Sequence, residues 1–236
     1  DAKNGVLGIS VVRLGIDNIL NTTQLIDPEG NIDYDKITKF STSDYAGIIS
    51  YAFHPGGKQK LSVGVNAKIV YRNIGKFANG FGFGFDLGAI YKTDSGYQLG
   101  AMLRDATTTV NFWSINQKEL SAIVNGEEFN PAPKDKMEIT MPKLNMGISK
   151  NFELNRDLEF LPEAGVNVDF AKTAALISTD FASITPYLGA ELSFQKMIFV
   201  LAGVNKFQNV TDIEDLKRKV TFQPSAGIGI RYRGLT

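Results

Sequence analysis

Apolar and polar residues alternate with a period of two along most of this chain. Gly80–Tyr91 shows the pattern clearly, because six apolar side chains would share one face while glycines and an aspartate share the other. Successive side chains of a β-strand leave opposite faces of the pleat, so this period predicts strands. The apolar set is Phe81, Phe83, Phe85, Leu87, Ala89 and Tyr91, and the second set is Gly80, Gly82, Gly84, Asp86 and Gly88.

Ten segments follow this rule or approach it. A soluble sandwich seldom needs six apolar residues in a row on one face, whereas a strand crossing a bilayer needs ~9–11 residues with its apolar face outward. We therefore expect an all-β fold, a transmembrane antiparallel up-and-down β-barrel that forms a single domain over residues 1–236. The strands are predicted at Gly5–Gly15, Asp44–Phe53, Lys60–Arg72, Gly80–Tyr91, Tyr97–Arg104, Ile139–Phe152, Glu159–Phe170, Thr185–Phe194, Met197–Asn205 and Val220–Arg233.

The connections between these strands alternate in length. Short turns of transmembrane barrels face the periplasm and long loops face outward. The alternation therefore predicts a bacterial outer-membrane protein with extracellular long loops and periplasmic short turns. The long connections are Ile16–Ser43, Asp105–Glu138, Ala171–Ile184 and Lys206–Lys219, the short ones are His54–Gln59, Lys92–Gly96, Glu153–Leu158 and Gln195–Lys196, and Asn73–Asn79 is intermediate.

Aromatic residues gather near both ends of the predicted strands. Two such belts are typical of the two membrane–water interfaces, although the ordinary β-propensity of aromatic residues would also place them in strands. The short-turn end has Tyr51, Phe53, Tyr91, Tyr97, Phe152, Phe194 and Tyr232, and the long-loop end has Tyr45, Tyr71, Phe81, Phe170, Tyr187 and Phe222.

The amino-acid composition argues against several classes of function. Lys and Arg number 25 and Asp and Glu also number 25, so no bulk charge attracts nucleic acid. The absence of cysteine and the single histidine argue against a zinc site, and we expect neither metal nor cofactor. His54 follows a predicted strand beside Pro55-Gly56-Gly57, a poor platform for a catalytic triad, so we expect no enzyme and no catalytic residue.

Charged and amide residues fall on the polar side of several predicted strands, where they would face the barrel interior. Both signs occur, so ion pairs between strands could fill the interior; a charged passage for a solute is the alternative. The residues that we expect to face inward are Asn66, Lys68, Arg72, Asp86, Arg104, Glu191 and Arg231.

The long connection Asp105–Glu138 contains Phe112, Trp113 and Ile115. Exposed aromatic residues on a loop are costly to hydrate, so we expect them to pack on something. They would either fold over the barrel mouth as a lid or anchor a protein partner.

Two parts of the first half resemble the PorV/PorQ family of outer-membrane proteins. Gly82–Thr107 includes GFGFDLGAIY and GAMLRD, which are similar to the family's GFAFDLGALY-like and GxxLRN-like strands. The preceding strand reads LSVGVNAKIVYRNIG, and Tyr34–Phe53 includes TSDYAGIISYAF, similar to an SDYALGLSYA-type strand. Asp105 stands where the family has Asn, and the family's N-terminal Asn-Pro-Ala segment is missing.

The resemblance implies a barrel related to the fatty-acid-transporter fold in the outer membranes of Bacteroidota. About ten strands would be present of fourteen, in a chain truncated at one or both ends. It also implies a component of the type IX protein secretion system that binds translocon proteins, cargo C-terminal domains or an attachment complex through its loops. The alternative is a channel for hydrophobic small molecules.

Overall fold

The chain folds almost entirely into β-structure. The computed structural model describes residues 5–57, 60–124, 127–129, 131, 133, 136–211 and 217–232, and 71% of the structure is strand. One short helix, α1, spans Gln117–Leu120, and 3-10 turns span Tyr34–Lys36 and Pro55–Gly57. The strands are β1 (Val6–Asn21), β2 (Thr38–Phe53), β3 (Leu61–Ile74), β4 (Ala78–Lys92), β5 (Tyr97–Arg104), β6 (Thr109–Ile115), β7 (Ala122–Val124), β8 (Glu127–Phe129), β9 (Met137–Thr140), β10 (Lys143–Lys150), β11 (Phe152–Glu153), β12 (Leu158–Asp169), β13 (Ile177–Ser178), β14 (Ser183–Phe194), β15 (Ile198–Thr211) and β16 (Arg218–Ile230).

Ten of these strands form one continuous antiparallel path. Their order in the sheet is β1-β2-β3-β4-β5-β10-β12-β14-β15-β16, and β6, β9, β11 and β13 pair alongside them. Neighbours in space therefore follow one another along the chain, which confirms the predicted all-β, up-and-down antiparallel arrangement. In the part of the chain that the structure describes the sheet is not closed, and β1 and β16 form its two edges.

The two faces of this sheet are buried in the opposite sense to a water-soluble protein. On β4, Phe81, Phe83 and Phe85 are 50%, 48% and 42% exposed, whereas Asp86 is 5% exposed and the intervening glycines are buried. We call the buried, polar side the inner face and the apolar side the outer face. Among the described residues the buried hydrophobic ones are Phe77, Val124 and Ala175, and the buried polar ones are Asn21, Asp86, Asp105, Thr109, Asn111, Ser183 and Ser193.

The sheet curves around its inner face. One interior cavity of about 460 Å³ is lined both by Ala52 on β2 and by Tyr187 on β14, six strands further along the sheet. With strands ~4.7–4.9 Å apart, six steps would separate these residues by about 28 Å in a flat sheet. The sheet must therefore bend to bring them to one cavity.

β5 ends at Arg104 as predicted, but the chain soon resumes pairing with β4 as a further strand that the sequence did not predict. β5 pairs with the second half of β4, and β6 continues in the same direction along its first half. Between the two, residues 104–109 oppose only residues 84–86, so the longer segment forms a wide bulge. Asp105 and Thr108 have φ angles of 52° and 64°, the left-handed conformation that such an interruption requires.

This bulge corrects the prediction for Phe112, Trp113 and Ile115. All three lie in strand β6 and not in a loop, because β6 supplies the backbone partners for the first half of β4. Phe112 is 51% exposed on the outer face, where it pairs with Phe81. Trp113 and Ile115 alternate with it and so point to the inner face. The prediction of a loop over Asp105–Glu138 is therefore wrong at both of its ends.

Candidate functional site

A buried ion cluster lies on the inner face of β3 and β4. The Lys68 Nζ atom is 2.7 Å from Asp86 Oδ1 and 2.6 Å from Asp105 Oδ1, and the three side chains are only 11%, 6% and 10% exposed. Asn66 Nδ2 donates to Asp86 Oδ2 at 3.3 Å, and the Thr109 hydroxyl donates to Asp105 Oδ1. Because a buried charge is costly unless it is paired, this cluster fixes the relative positions of three neighbouring segments.

The bulge carries Asp105 into this cluster. Met102 on β5 points inward, so a regular strand would have sent residue 105 to the outer face. The bulge turns it inward instead, and its backbone N–H donates to Asp86 Oδ1 at 2.9 Å. The Thr108 N–H closes the turn by donating to the Asp105 carbonyl oxygen at 2.7 Å. This is the usual use of a bulge, which re-aims one side chain.

Glycines on the inner face of β4 make room for the side chains of β6. A Cβ atom at Gly82 would overlap with Asn111 Oδ1, and a Cβ atom at Gly84 would overlap with Thr109 Oγ1. The alternating glycines that the sequence displays are thus required by close packing between two neighbouring strands. Their function is to let polar side chains lie flat on the β4 backbone.

A second charged network lies nearer to the long-loop end. Trp113 Nε1 donates to Glu138 Oε2 at 2.9 Å, and the Arg72 guanidinium carbon is 5.3 Å from the centroid of the Trp113 ring. Arg72 also donates to Glu138 Oε2 at 3.3 Å and to Asp44 Oδ2 at 3.2 Å. A Cβ atom at Gly80 would be 3.0 Å from the indole ring. The Trp113 side chain therefore points into the interior, where it contacts Glu138 and Arg72.

The predicted inward-facing residues fall into separate groups. Asn66, Lys68 and Asp86 meet in the first cluster and Arg72 lies in the second network, whereas the other three lie apart. Arg104 is exposed at the end of β5. Glu191 and Arg231 line a smaller space of about 270 Å³ near the short-turn end. The Arg231 guanidinium carbon is 5.1 Å from the centroid of the Phe199 ring.

Tyr187 lies between two interior spaces. Cavities of about 700 and 460 Å³ both include Asn145, Glu163 and Tyr187 in their linings. The Tyr187 hydroxyl donates to Glu163 Oε1 at 3.0 Å. A Cβ atom at Gly147 would overlap with this hydroxyl, and one at Gly165 would overlap with the end of the Tyr187 side chain and with the Met146 carbonyl oxygen. Its assignment to the outward-facing aromatic belt is wrong, because Tyr187 pairs with Gly165 on the inner face.

Sequence reasoning missed the parts of the site that depend on the bulge. Asp105, Thr109 and Glu138 fell inside or at the ends of the predicted loop, although they hold Lys68 and Arg72 in place. The signal that could have found them is the glycine series of β4. Where glycines alternate on the inner face of a strand, as at Gly80, Gly82 and Gly84, the side chains of a neighbouring strand must fill the space.

His54 lies close to a hydroxyl group that the sequence argument did not consider. Its Nδ1 atom is 3.2 Å from Ser62 Oγ and 3.1 Å from the Leu61 carbonyl oxygen. A carbonyl can only accept, so the bond to Leu61 requires a proton on Nδ1. In that tautomer Nδ1 cannot also take a proton from Ser62, so the bond to Leu61 and donation by Ser62 to Nδ1 require different tautomers of His54.

Within the described ranges, no three His, Cys, Asp or Glu residues are placed to hold a metal ion. None of the helices described is both long enough and apolar enough to cross a membrane. No protein-family model and no curated protein matches this chain.

Replacing Gly84 by Ala tests the packing of β6 on β4. The new Cβ atom would overlap with Thr109 Oγ1 and would lie 3.1 Å from Lys68 Cε. We expect Gly84→Ala to lower the free energy of unfolding by about 1–3 kcal/mol, as overpacking does. Gly100→Ala is the matched control, because no atom lies within 4 Å of its ideal Cβ. Urea unfolding of the refolded full-length protein measures both, and equal losses would contradict the packing described.

Removal of the Lys68 charge tests the buried cluster. Lys68→Met leaves the carboxylates of Asp86 and Asp105 facing each other without a cation, and we expect a loss of about 3–5 kcal/mol. Lys143→Met is the control, because that lysine is 51% exposed in its pair with Asp169 and should cost at most about 1 kcal/mol. Adding Asp105→Asn to Lys68→Met should recover part of the loss. A Lys68→Met protein as stable as the control would show that the cluster contributes little.

Proposed function

We propose that this chain forms the wall of a bacterial outer-membrane β-barrel whose long-loop end binds proteins of the type IX secretion system or their cargo. The observation that carries the membrane part is the inverted burial of the two faces. The long loops would be extracellular and the short turns periplasmic. The secretion role rests on the family resemblance of the first half of the chain.

The outer face is suited to a lipid solvent. Ile49, Ile69 and Leu87 are 56%, 56% and 50% exposed in the middle of their strands, with no other part of the described chain covering them. In water such an extended apolar surface promotes aggregation. In a bilayer the same surface is favourable, because burying apolar area from water yields roughly 25 cal/mol per Å².

The strands are longer than a membrane requires. β1 and β2 have 16 residues each and β4 has 15, compared with the ~9–11 of a tilted transmembrane strand. The surplus would extend the wall beyond the apolar band and raise the loop end above the membrane surface. Unpaired backbone groups cost several kcal/mol each in hydrocarbon, so the proposal requires both sheet edges, β1 and β16, to be paired in the membrane.

The interior favours a protein-binding role over a carrier. The ion cluster of Lys68, Asp86 and Asp105 occupies the inner face at the middle of β3 and β4, and the network around Trp113 occupies it nearer to the long-loop end. An apolar solute passing along that wall would have to displace buried charges.

The alternative, a fatty-acid-transporter-like channel for hydrophobic small molecules, is favoured by one observation. The cavity of about 460 Å³ has Ile90 and Met102 in its lining, together with several glycines.

We assign partner binding to the long-loop end of the sheet. Of the three predicted anchors, Phe112 is on the outer face and Trp113 and Ile115 are on the inner face, so they do not form one patch. Their role in binding stays a prediction. The connection that follows β6 carries α1 and the β7–β8 hairpin, and we assign the partner contacts to this connection.

An arginine on the outer face separates a membrane protein from a soluble one. Phe85→Arg places a charge in the middle of the outer face of β4, which should cost about 2–4 kcal/mol in a bilayer and impair assembly. Leu154→Arg makes the same change at a turn residue that is 56% exposed and should be tolerated. The full-length protein is assayed by outer-membrane fractionation and heat-modifiable migration. Normal membrane assembly of Phe85→Arg would contradict the proposal.

Shortening the connection between Asn116 and Lys136 tests the protein-binding role. We expect cells with this variant to keep a folded barrel but to lose cargo secretion or attachment, because binding energy concentrates in a few exposed anchors. The carrier alternative instead predicts normal secretion and a changed uptake of an apolar solute. Shortening the turn at 93–96 is the control. Secretion that survives the loop deletion in a barrel shown to be folded would refute this role.

A further inference from the structure

The first long connection, residues 22–37, contains an ordered hairpin. Ile26 and Ile32 form an antiparallel bridge, the Asp33 N–H donates to the Leu25 carbonyl at 2.8 Å, and the Asp27 N–H donates to the Asn31 carbonyl at 2.9 Å. We call residues 25–35 the loop hairpin. It projects from the end of the sheet at which the other long connections lie.

A carboxylate organises the tip of the loop hairpin. Asp27 Oδ1 accepts from the backbone N–H groups of Asn31 at 2.7 Å and Glu29 at 3.1 Å, and Oδ2 accepts from the Asn31 amide at 3.2 Å. The bonds from Asn31 lower the pKa of Asp27 below its ordinary value. The three hydrogen bonds to Asp27 hold the tip in one conformation, so it would lose little conformational entropy on binding.

Contacts at its base hold the loop hairpin against the connection that follows β6. Gln24 Nε2 donates to the Ser121 carbonyl at 3.4 Å. The Thr23 hydroxyl, which donates to Asn21 Oδ1 at 2.8 Å, lies 3.4 Å from the Glu119 carbonyl oxygen. Lys76, in the turn between β3 and β4, forms an ion pair with Glu119. Three connections thus form one continuous surface at the loop end.

The loop hairpin exposes apolar side chains that its own fold does not cover. Ile26, Ile32 and Tyr34 are 41%, 59% and 70% exposed. They lie beyond the ends of β1 and β2, so the lipid that would cover the outer face does not account for them. Tyrosine and isoleucine held on a rigid support are the kind of anchor that protein interfaces use.

The charges around these side chains indicate the chemistry of the partner. Residues 22–37 contain four carboxylates, those of Asp27, Glu29, Asp33 and Asp35, and one ammonium group, that of Lys36, for a net charge of −3. Anionic lipid headgroups would be repelled by such a surface. A polypeptide with basic side chains would be attracted and oriented by it.

We propose that the loop hairpin is a docking site for a polypeptide segment that carries apolar side chains flanked by lysine or arginine. Ile32 and Tyr34 contact the apolar side chains, and the surrounding carboxylates pair with the basic ones. The proposal rests on the proposed function in one respect: the loop end must lie outside the membrane.

The test uses the full-length protein in nanodiscs and synthetic fluorescent peptides. One peptide alternates lysine with leucine, a second has glutamate in place of lysine, and a third has serine in place of leucine; empty nanodiscs give the background. We expect only the first to bind, and we expect binding to weaken as salt rises. Ile32→Ser with Tyr34→Ser should weaken it about tenfold or more. Leu154→Ser, at the opposite end, should leave binding unchanged.

Charge reversal supplies the sharper variant. Glu29→Lys with Asp35→Lys should transfer the preference from the lysine peptide to the glutamate peptide. Equal binding of both peptides by the unmodified protein, or unchanged binding by Ile32→Ser with Tyr34→Ser, would overturn the proposal. A fluorophore on Tyr34→Cys that is quenched by brominated lipid would also overturn it, by assigning the hairpin to the membrane surface.

Whole-cell labelling distinguishes failure of this proposal from failure of the proposed function. The chain has no cysteine, so single-cysteine variants are unambiguous. Lys118→Cys should react with an impermeant thiol reagent and Arg156→Cys should not. That labelling pattern without selective peptide binding would reject the docking site alone, whereas the reverse pattern would reject the orientation on which both rest.

Discussion

The close approach of β6 to the glycines of β4 determines how the inner face is built. Where β4 has no side chains, Thr109, Asn111 and Trp113 can lie against its backbone, and Lys68 can reach across from β3 to Asp86 and Asp105. A bulkier residue at Gly84 would move Thr109 away, and with it the hydrogen bond that orients Asp105. The ion cluster and the network around Trp113 thus depend on the absence of side chains at the glycines of β4.

This arrangement explains why polar residues form the interior. Hydrophobic burial inside the sheet is small among the described residues, so the inner face is held by ion pairs and hydrogen bonds between neighbouring strands. A buried charge is costly unless it is paired, which is why the buried lysine has two carboxylates and one of these carboxylates also has an amide. The outer face leaves much of its apolar area exposed in water, and burial of that area becomes favourable against an apolar solvent.

Local periodicity predicted most of the strands but few of the contacts in the candidate site. The ten principal strands could be predicted because alternation is written into each segment separately, as in Leu61–Arg72 and Gly80–Tyr91. The facing of Tyr187 follows from the same alternation, because Tyr187 lies four residues before the inward-facing Glu191 in β14, but the glycines at 147 and 165 that make room for it could not be assigned to it from local pattern. The placement of Asp105 and Trp113 could not be predicted, since the bulge interrupts the alternation directly after the end of β5. The sequence showed which residue types were available for the interior, and pairing between strands decided which of them meet.

The bulge also makes the chain sensitive to length at one place. Six residues there oppose three on β4, an odd excess, so the numbering of inward-facing positions changes from even in β5 to odd in β6. Loss or gain of a single residue between Arg104 and Thr109 would turn Phe112 inward and expose Trp113 on the outer face. A substitution in this segment acts at its own position alone, whereas an insertion or deletion would exchange the two faces of a whole strand.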